Sequence, residues 1–181
     1  MKRLSLLFAL MLLTTTMWAD KYPIDNYEEP RVGTTPSATE WNTITPGLHA
    51  TWADRDIHYQ LHRVPVVCET QEAEISAWRG ERANITAVLF SRSNEGMLSV
   101  RFVDTYGKVL PWCKARFINY IITDDKKNCG EHDMNLQQWL VPDVICQDKP
   151  HAVPACETRP VWCSIEVPRN APAGRQKPLC R

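Results

Sequence analysis

The sequence predicts an all-β fold, an antiparallel β-sandwich, and three observations carry that prediction. Leu98, Val100 and Phe102 alternate with Ser99 and Arg101, and Val161, Cys163, Ile165 and Val167 alternate with Trp162, Ser164 and Glu166. Such period-two patterning places apolar side chains on one face of a half-buried strand. Two longer runs, around ISAWRGERANITAVLF (75–90) and RFINYIIT (116–123), are apolar on both faces, as strands inside a sheet are. Between these runs lie turn residues, and no long amphipathic helical period appears.

The elements follow in chain order. Met1 to Asp20 reads as an export signal: Lys2 and Arg3 are a basic start, Leu4 to Leu13 an apolar run, and Ala19 a cleavage point. The apolar run of about ten residues is too short to span a bilayer as a helix. Residues 1–19 are therefore expected to be removed, leaving an exported chain, periplasmic or extracellular, with no membrane segment. Residues 20–47 are rich in Pro, Ser, Thr and Asn without a period and predict an irregular leader. The sandwich is expected over 48–174. Strands are predicted at Leu48–Trp52, Val64–Val67 and Ile75–Phe90, with Gly80 as a bend in the last. After the turn SRSNEG, the strand through Leu98 and Phe102 is expected to pair with the one before it. Trp78, Leu89, Phe102, Ile121 and Ile165 are the predicted core.

Asp124 to Pro160 breaks the rhythm and predicts a long irregular loop, with a helical turn at most over Asn135–Leu140. The turn PRNAPAG follows the strand at 161–167. The tail 175–181, RQKPLCR, holds little that can continue a ladder, and Pro178 removes a donor. The sequence thus predicts a sandwich missing its last strand, and a truncated product.

Charge and motifs exclude several function classes. Losing Lys2 and Arg3 from the 21 basic residues leaves 19 against 21 acidic ones, with no basic block, so no nucleic-acid partner is expected. No phosphate-binding loop, nucleophile elbow, metalloprotease helix or Cys-x-x-Cys pair is present. Asp54, His58 and His62 would share a face if helical, but Ile57, Tyr59 and Leu61 alternate as in a strand. Cys129, His132, Cys146, His151 and Cys156 lack the paired spacing of a zinc site. One or two disulfides fit them better, and with seven cysteines at least one thiol stays free or pairs between chains. No metal and no cofactor is expected. Asn84-Ile85-Thr86 matches a glycosylation sequon but falls inside a strand. No pair of acids can be nominated for sugar hydrolysis: Asp124 and Asp125 are adjacent turn formers, and Asp143 and Glu157 are lone. Among the tryptophans, Trp112 and Trp139 fall in loops, where a flat indole can stack on a sugar ring. They are the candidate carbohydrate contacts.

The segments AWRGERANITAVLF, RFINYIITDD, LVPDVI and ETRPVWCSIEVPRNAPAG together resemble the N-terminal β-sandwich domain of family 123 glycoside hydrolases, over about residues 48–174. The resemblance implies an enzyme that removes terminal N-acetylgalactosamine, with the substrate's 2-acetamido group as nucleophile, an orienting Asp and a proton-donating Glu. Those acids lie in a (β/α)₈ barrel after the sandwich, which takes about 250 residues. No catalytic residue carries over onto this sequence. The expectation is an accessory domain, not an enzyme by itself, whose partner is a catalytic barrel or a glycan. A free carbohydrate-binding module is the alternative, and an exported structural or metal-binding protein a third.

Overall fold

The computed structural model describes residues 27–30, 35–122, 140–174 and 177–180. Its elements are α1 (Ala38–Trp41), β1 (His49–Ala53), β2 (Arg82–Ser91), β3 (Met97–Leu98), β4 (Phe102–Val103), β5 (Cys113–Ile122), β6 (Leu140–Ile145), β7 (His151–Ala152), β8 (Glu157–Glu166) and β9 (Leu179–Cys180). All pairings are antiparallel. The main sheet runs β1-β2-β8-β5-β6, and two short ladders, β3–β7 and β4–β9, stand apart from it. The fold is all-β and sandwich-like, as the alternation predicts.

The inner face of the main sheet is made by the register. Ile85, Ala87 and Leu89 of β2 lie opposite Cys163, Val161 and Arg159 of β8. Cys113, Ala115 and Phe117 of β5 lie opposite Ile165, Cys163 and Val161. Phe102 and Val153 join them in one core, with Leu98, Val100, Leu110 and Cys180 packed against it from the short ladders and their flanks. The outer face is half covered. Trp41 and Tyr59 bury Val88 and Phe90, and Leu61 packs with Tyr120 and Leu140.

That cover comes from segments the sequence reads as irregular. Ser37 caps the four-residue α1 by accepting from the Glu40 N–H. Trp41 is 1% exposed, and its indole N–H donates to the His62 carbonyl at 3.1 Å. Glu40 accepts from the Val64 N–H at 2.8 Å and pairs with Arg63. So the leader is tied onto the 54–67 stretch, which is loop and turn where a strand is expected at Val64–Val67.

Three further corrections concern strand limits. The long strand begins at Arg82, because Gly80 takes φ +80° and its N–H turns to the Val167 carbonyl at 2.8 Å. A Cβ at Gly80 would lie 3.3 Å from Arg169 Cγ. Trp78 stands before this turn and is 84% exposed, not core as predicted; its N–H donates to the Glu81 carboxylate at 2.6 Å. Leu89, Phe102 and Ile165 are buried as predicted, and Ile121 is half-buried. Second, β3 and β4 do not pair with β2: they pair with β7 and β9, in the opposite layer. Third, part of the predicted loop is strand. LVPDVI is edge strand β6, where Pro142 is tolerated, and β8 already starts at Glu157. The Leu179–Cys180 tail pairs with Phe102–Val103, so it does extend a ladder. Residues 123–139, with the helical turn predicted at Asn135, lie outside the described residues.

Candidate functional site

A group of ionisable side chains gathers where β5 leaves β8. Their ladder ends at Phe117 opposite Val161, and the β5–β6 register shifts between Asn119 and Tyr120. Beyond that point Tyr120 has main-chain groups that β8 does not pair, and the leader supplies partners. The Tyr120 N–H donates to Glu29 at 2.8 Å, and the Tyr27 hydroxyl donates to the Tyr120 carbonyl at 2.6 Å. Beside them Pro160 of β8 has no N–H to give.

Arg159 is the hub. It is 3% exposed, and its Nη1 reaches both Glu29 oxygens at 2.6 and 2.7 Å. Its Nε donates to Glu157 at 3.0 Å, and its Nη2 donates to the same carboxylate. The guanidinium carbon stands 5.6 Å from the centre of the Tyr120 ring. Burial works against the Arg159 charge, but the two carboxylates outweigh it and hold the guanidinium above its ordinary value. Burial pushes the Tyr120 hydroxyl well above the usual phenol range. That hydroxyl lies 2.9 Å from the Tyr59 and Thr158 carbonyls, to which it offers its proton. His151 lies tilted against Phe117, with ring centres 4.9 Å apart, and sets Nε2 2.7 Å from Asn119 Oδ1; burial lowers its pKa.

This cluster ties the leader to β5 and β8, and Arg159 engages both of its carboxylates. Hydrolysis by two carboxylates needs one to give a proton and another to act on the substrate or water. Glu29 and Glu157 instead share the one Arg159 guanidinium. Asp143 is exposed on β6, and Asp124 and Asp125 lie outside the described residues.

The candidate sugar contacts separate. Trp112 stands before β5, half-buried against the inner core, and its carbonyl accepts from the Glu166 N–H at 2.7 Å. Trp139 lies outside the described residues. Asp54, His58 and His62 are in turns and loop, so they share no helical face; Asp54 accepts from the Asp56 N–H. Among the described residues no group of three or more His, Cys, Asp or Glu is placed to hold a metal.

Cys68, Cys113, Cys146, Cys156, Cys163 and Cys180 are all thiols, so the disulfides predicted in the loop are not formed by Cys146 or Cys156. Cys113, Cys163 and Cys180 meet in or against the inner core. Burial pushes Cys113 up to about 12 and Cys180 up to about 11.

Sequence reading missed the Arg159 cluster, because its members come from positions 29, 120, 151, 157 and 159, and only a fold brings them together. It also underrates the outward face of β2, β8 and β5. There Trp162 lies directly opposite Thr86 on one neighbour and Arg116 on the other. Asn84 and Lys114 flank Ser164 one row away, and the Ser164 hydroxyl donates to Asn84 at 3.1 Å.

Comparison with known proteins agrees with the sheet. The family described as the glycoside hydrolase 123 N-terminal domain matches residues 52–178. A family 123 glycoside hydrolase from Clostridium perfringens, solved to detail glycolipid glycan hydrolysis, shares the fold with a TM-score of 0.51 at 18% identity. The match covers 75% of this chain and 26% of that one. No curated protein matches the sequence. Matched over most of its length, on a sheet of the expected kind, the chain belongs to the glycoside hydrolase 123 N-terminal domain family.

Proposed function

We propose that the chain serves as an exported accessory β-sandwich of a glycoside hydrolase acting on terminal N-acetylgalactosamine, and does no glycosidic chemistry itself. The observation that supports this reading is the family match over 52–178, on a domain whose two gathered carboxylates are both bound by Arg159. A retaining or substrate-assisted hydrolase needs an acid free to transfer a proton. On this reading that acid belongs to a barrel, which the sandwich flanks and steadies.

Two assays test the reading. Purified chain mixed with p-nitrophenyl N-acetylgalactosaminide should release no p-nitrophenol, and turnover that persists after removal of contaminating enzymes overturns the non-catalytic role. A family 123 barrel produced alone should melt at a higher temperature when this chain is added. An unchanged melting temperature at saturating chain overturns the accessory role.

A further inference from the structure

We infer that the outward face around Trp162 is a binding site for a saccharide carrying an anionic group. The inference goes beyond the accessory role, since the site lies on the sandwich's own sheet and needs no barrel. Trp162 is half-buried and points away from the core to which its neighbours Val161 and Cys163 belong. On either side, directly opposite in register, stand Thr86 and Arg116. Side chains so placed have Cβ atoms about 5 Å apart, so the indole is in contact range of both.

Both neighbours hold an unused polar atom. Thr86 is 4% exposed, and its hydroxyl has no hydrogen-bond partner; the Arg116 Nε is also buried and unpartnered. Folded proteins leave few such groups, and each is costly where it occurs. Only three buried side-chain atoms among the described residues are in this state, and two of them flank one ring. The next row is satisfied within itself, Ser164 on Asn84. On this proposal the ligand displaces the Trp162 side chain to reach both orphan atoms.

The chemistry of the row selects the ligand. A sugar ring presents a C–H face that stacks on an indole, and hydroxyls at its rim that meet a threonine hydroxyl and a guanidinium N–H. Charge selects further. Arg82 is neutralised by Glu166 at 2.7 Å, whereas Arg116 and the exposed Lys114 make no ion pair among the described residues. Two unpaired cations beside the ring favour a carboxylate or sulfate on the sugar. A peptide strand is disfavoured, because β2, β8 and β5 are interior strands and offer no free edge to extend.

The test is calorimetric titration of the purified chain with two tetrasaccharides of one linkage, one ending in glucuronate and the other in glucose. The acidic sugar should bind about tenfold tighter than the neutral one. Trp162→Ala should abolish binding of both. Arg116→Gln should bring the two affinities together. Lys114→Glu changes an exposed residue and leaves the fold intact; it should weaken the acidic sugar alone, by roughly tenfold. Failure of the natural chain to bind either sugar overturns the proposal. So does equal affinity for both, or acidic binding that is unchanged in Lys114→Glu. Loss of barrel stabilisation in Trp162→Ala, with no sugar bound by the natural chain, would assign the face to the barrel and also overturn it.

Discussion

The two halves of β8 make opposite use of one strand. From Glu157 to Val161 every residue is buried, on both faces; from Trp162 to Glu166 burial alternates, with Trp162, Ser164 and Glu166 turned outward. The backbone is the same extended ladder throughout, paired with β2 along its whole length. What differs is the cover. Over the first half and its β2 partners Val88 and Phe90 lie Trp41, Tyr59, Leu61 and the leader residue Glu29, while the outward side chains of the second half are half-buried or exposed. A strand's residue types therefore follow what other segments lay across it. A charge is accepted on the covered half only because Arg159 meets two carboxylates there.

The sharpest way to break this contrast is Arg159→Ala. It leaves the buried Glu157 and the half-buried Glu29 together without their cation, and unfolding by urea should show a loss of about 3–5 kcal/mol. A loss under about 1 kcal/mol would mean the pair is no more than an exposed ion pair in energy. Trp41→Ala removes the lid rather than the charge. Its expected cost is about 3 kcal/mol, and exchange of the Val88 and Phe90 amides should then approach that of Asn84 and Thr86. Unchanged protection at Val88 would show that the lid does not set the difference.

Acid sharpens the contrast further. His151, beside the Arg159 cluster, has its pKa lowered by burial below the ordinary 6.5. Between 6.5 and the folded value, the unfolded chain takes up a proton that the native one refuses, so stability falls as pH drops below about 6.5. The urea midpoint should fall from pH 7 to pH 5, and fall less in His151→Asn. Equal slopes in the two proteins would remove His151 from the account. The smallest effect belongs to Trp78→Ala. This indole is 84% exposed, so the change should stay within about 0.5 kcal/mol. A larger loss would place Trp78 in a packed site after all.

Legibility in the sequence follows the same division. The half of β8 with one covered face alternates, and so it was readable from Val161 to Val167. The half with two covered faces holds Glu157, Arg159 and Pro160, which look like a loop until their partners are known. Strand β6 was hidden likewise by Pro142 and Asp143, both acceptable at an edge. Trp78 misled because Gly80 reads as a bend within a strand, whereas its positive φ marks where the strand starts. As for the candidate site, alternation alone put Trp162 outward, but Thr86 and Arg116 become its neighbours only through the register of three strands far apart in the chain. Glu29 and Arg159 are 130 residues apart, beyond the reach of any local period.

The strand order β1-β2-β8-β5-β6 also sets a timetable. Sequence neighbours β1 and β2 form one pair and β5 and β6 another, each by contacts that are local or moderately so. The strand that joins the two pairs is β8, which is made after all four. Until it arrives, β2 and β5 each display an unpaired apolar edge, the kind that recruits other chains. Insertion of β8 closes both edges at once and brings Arg159 to Glu29, so Glu29 gains its cation only when β8 is in place. Long-range closure of this sort makes for slow folding. An unpaired β2 or β5 edge, more than the finished sheet, is where aggregation would begin.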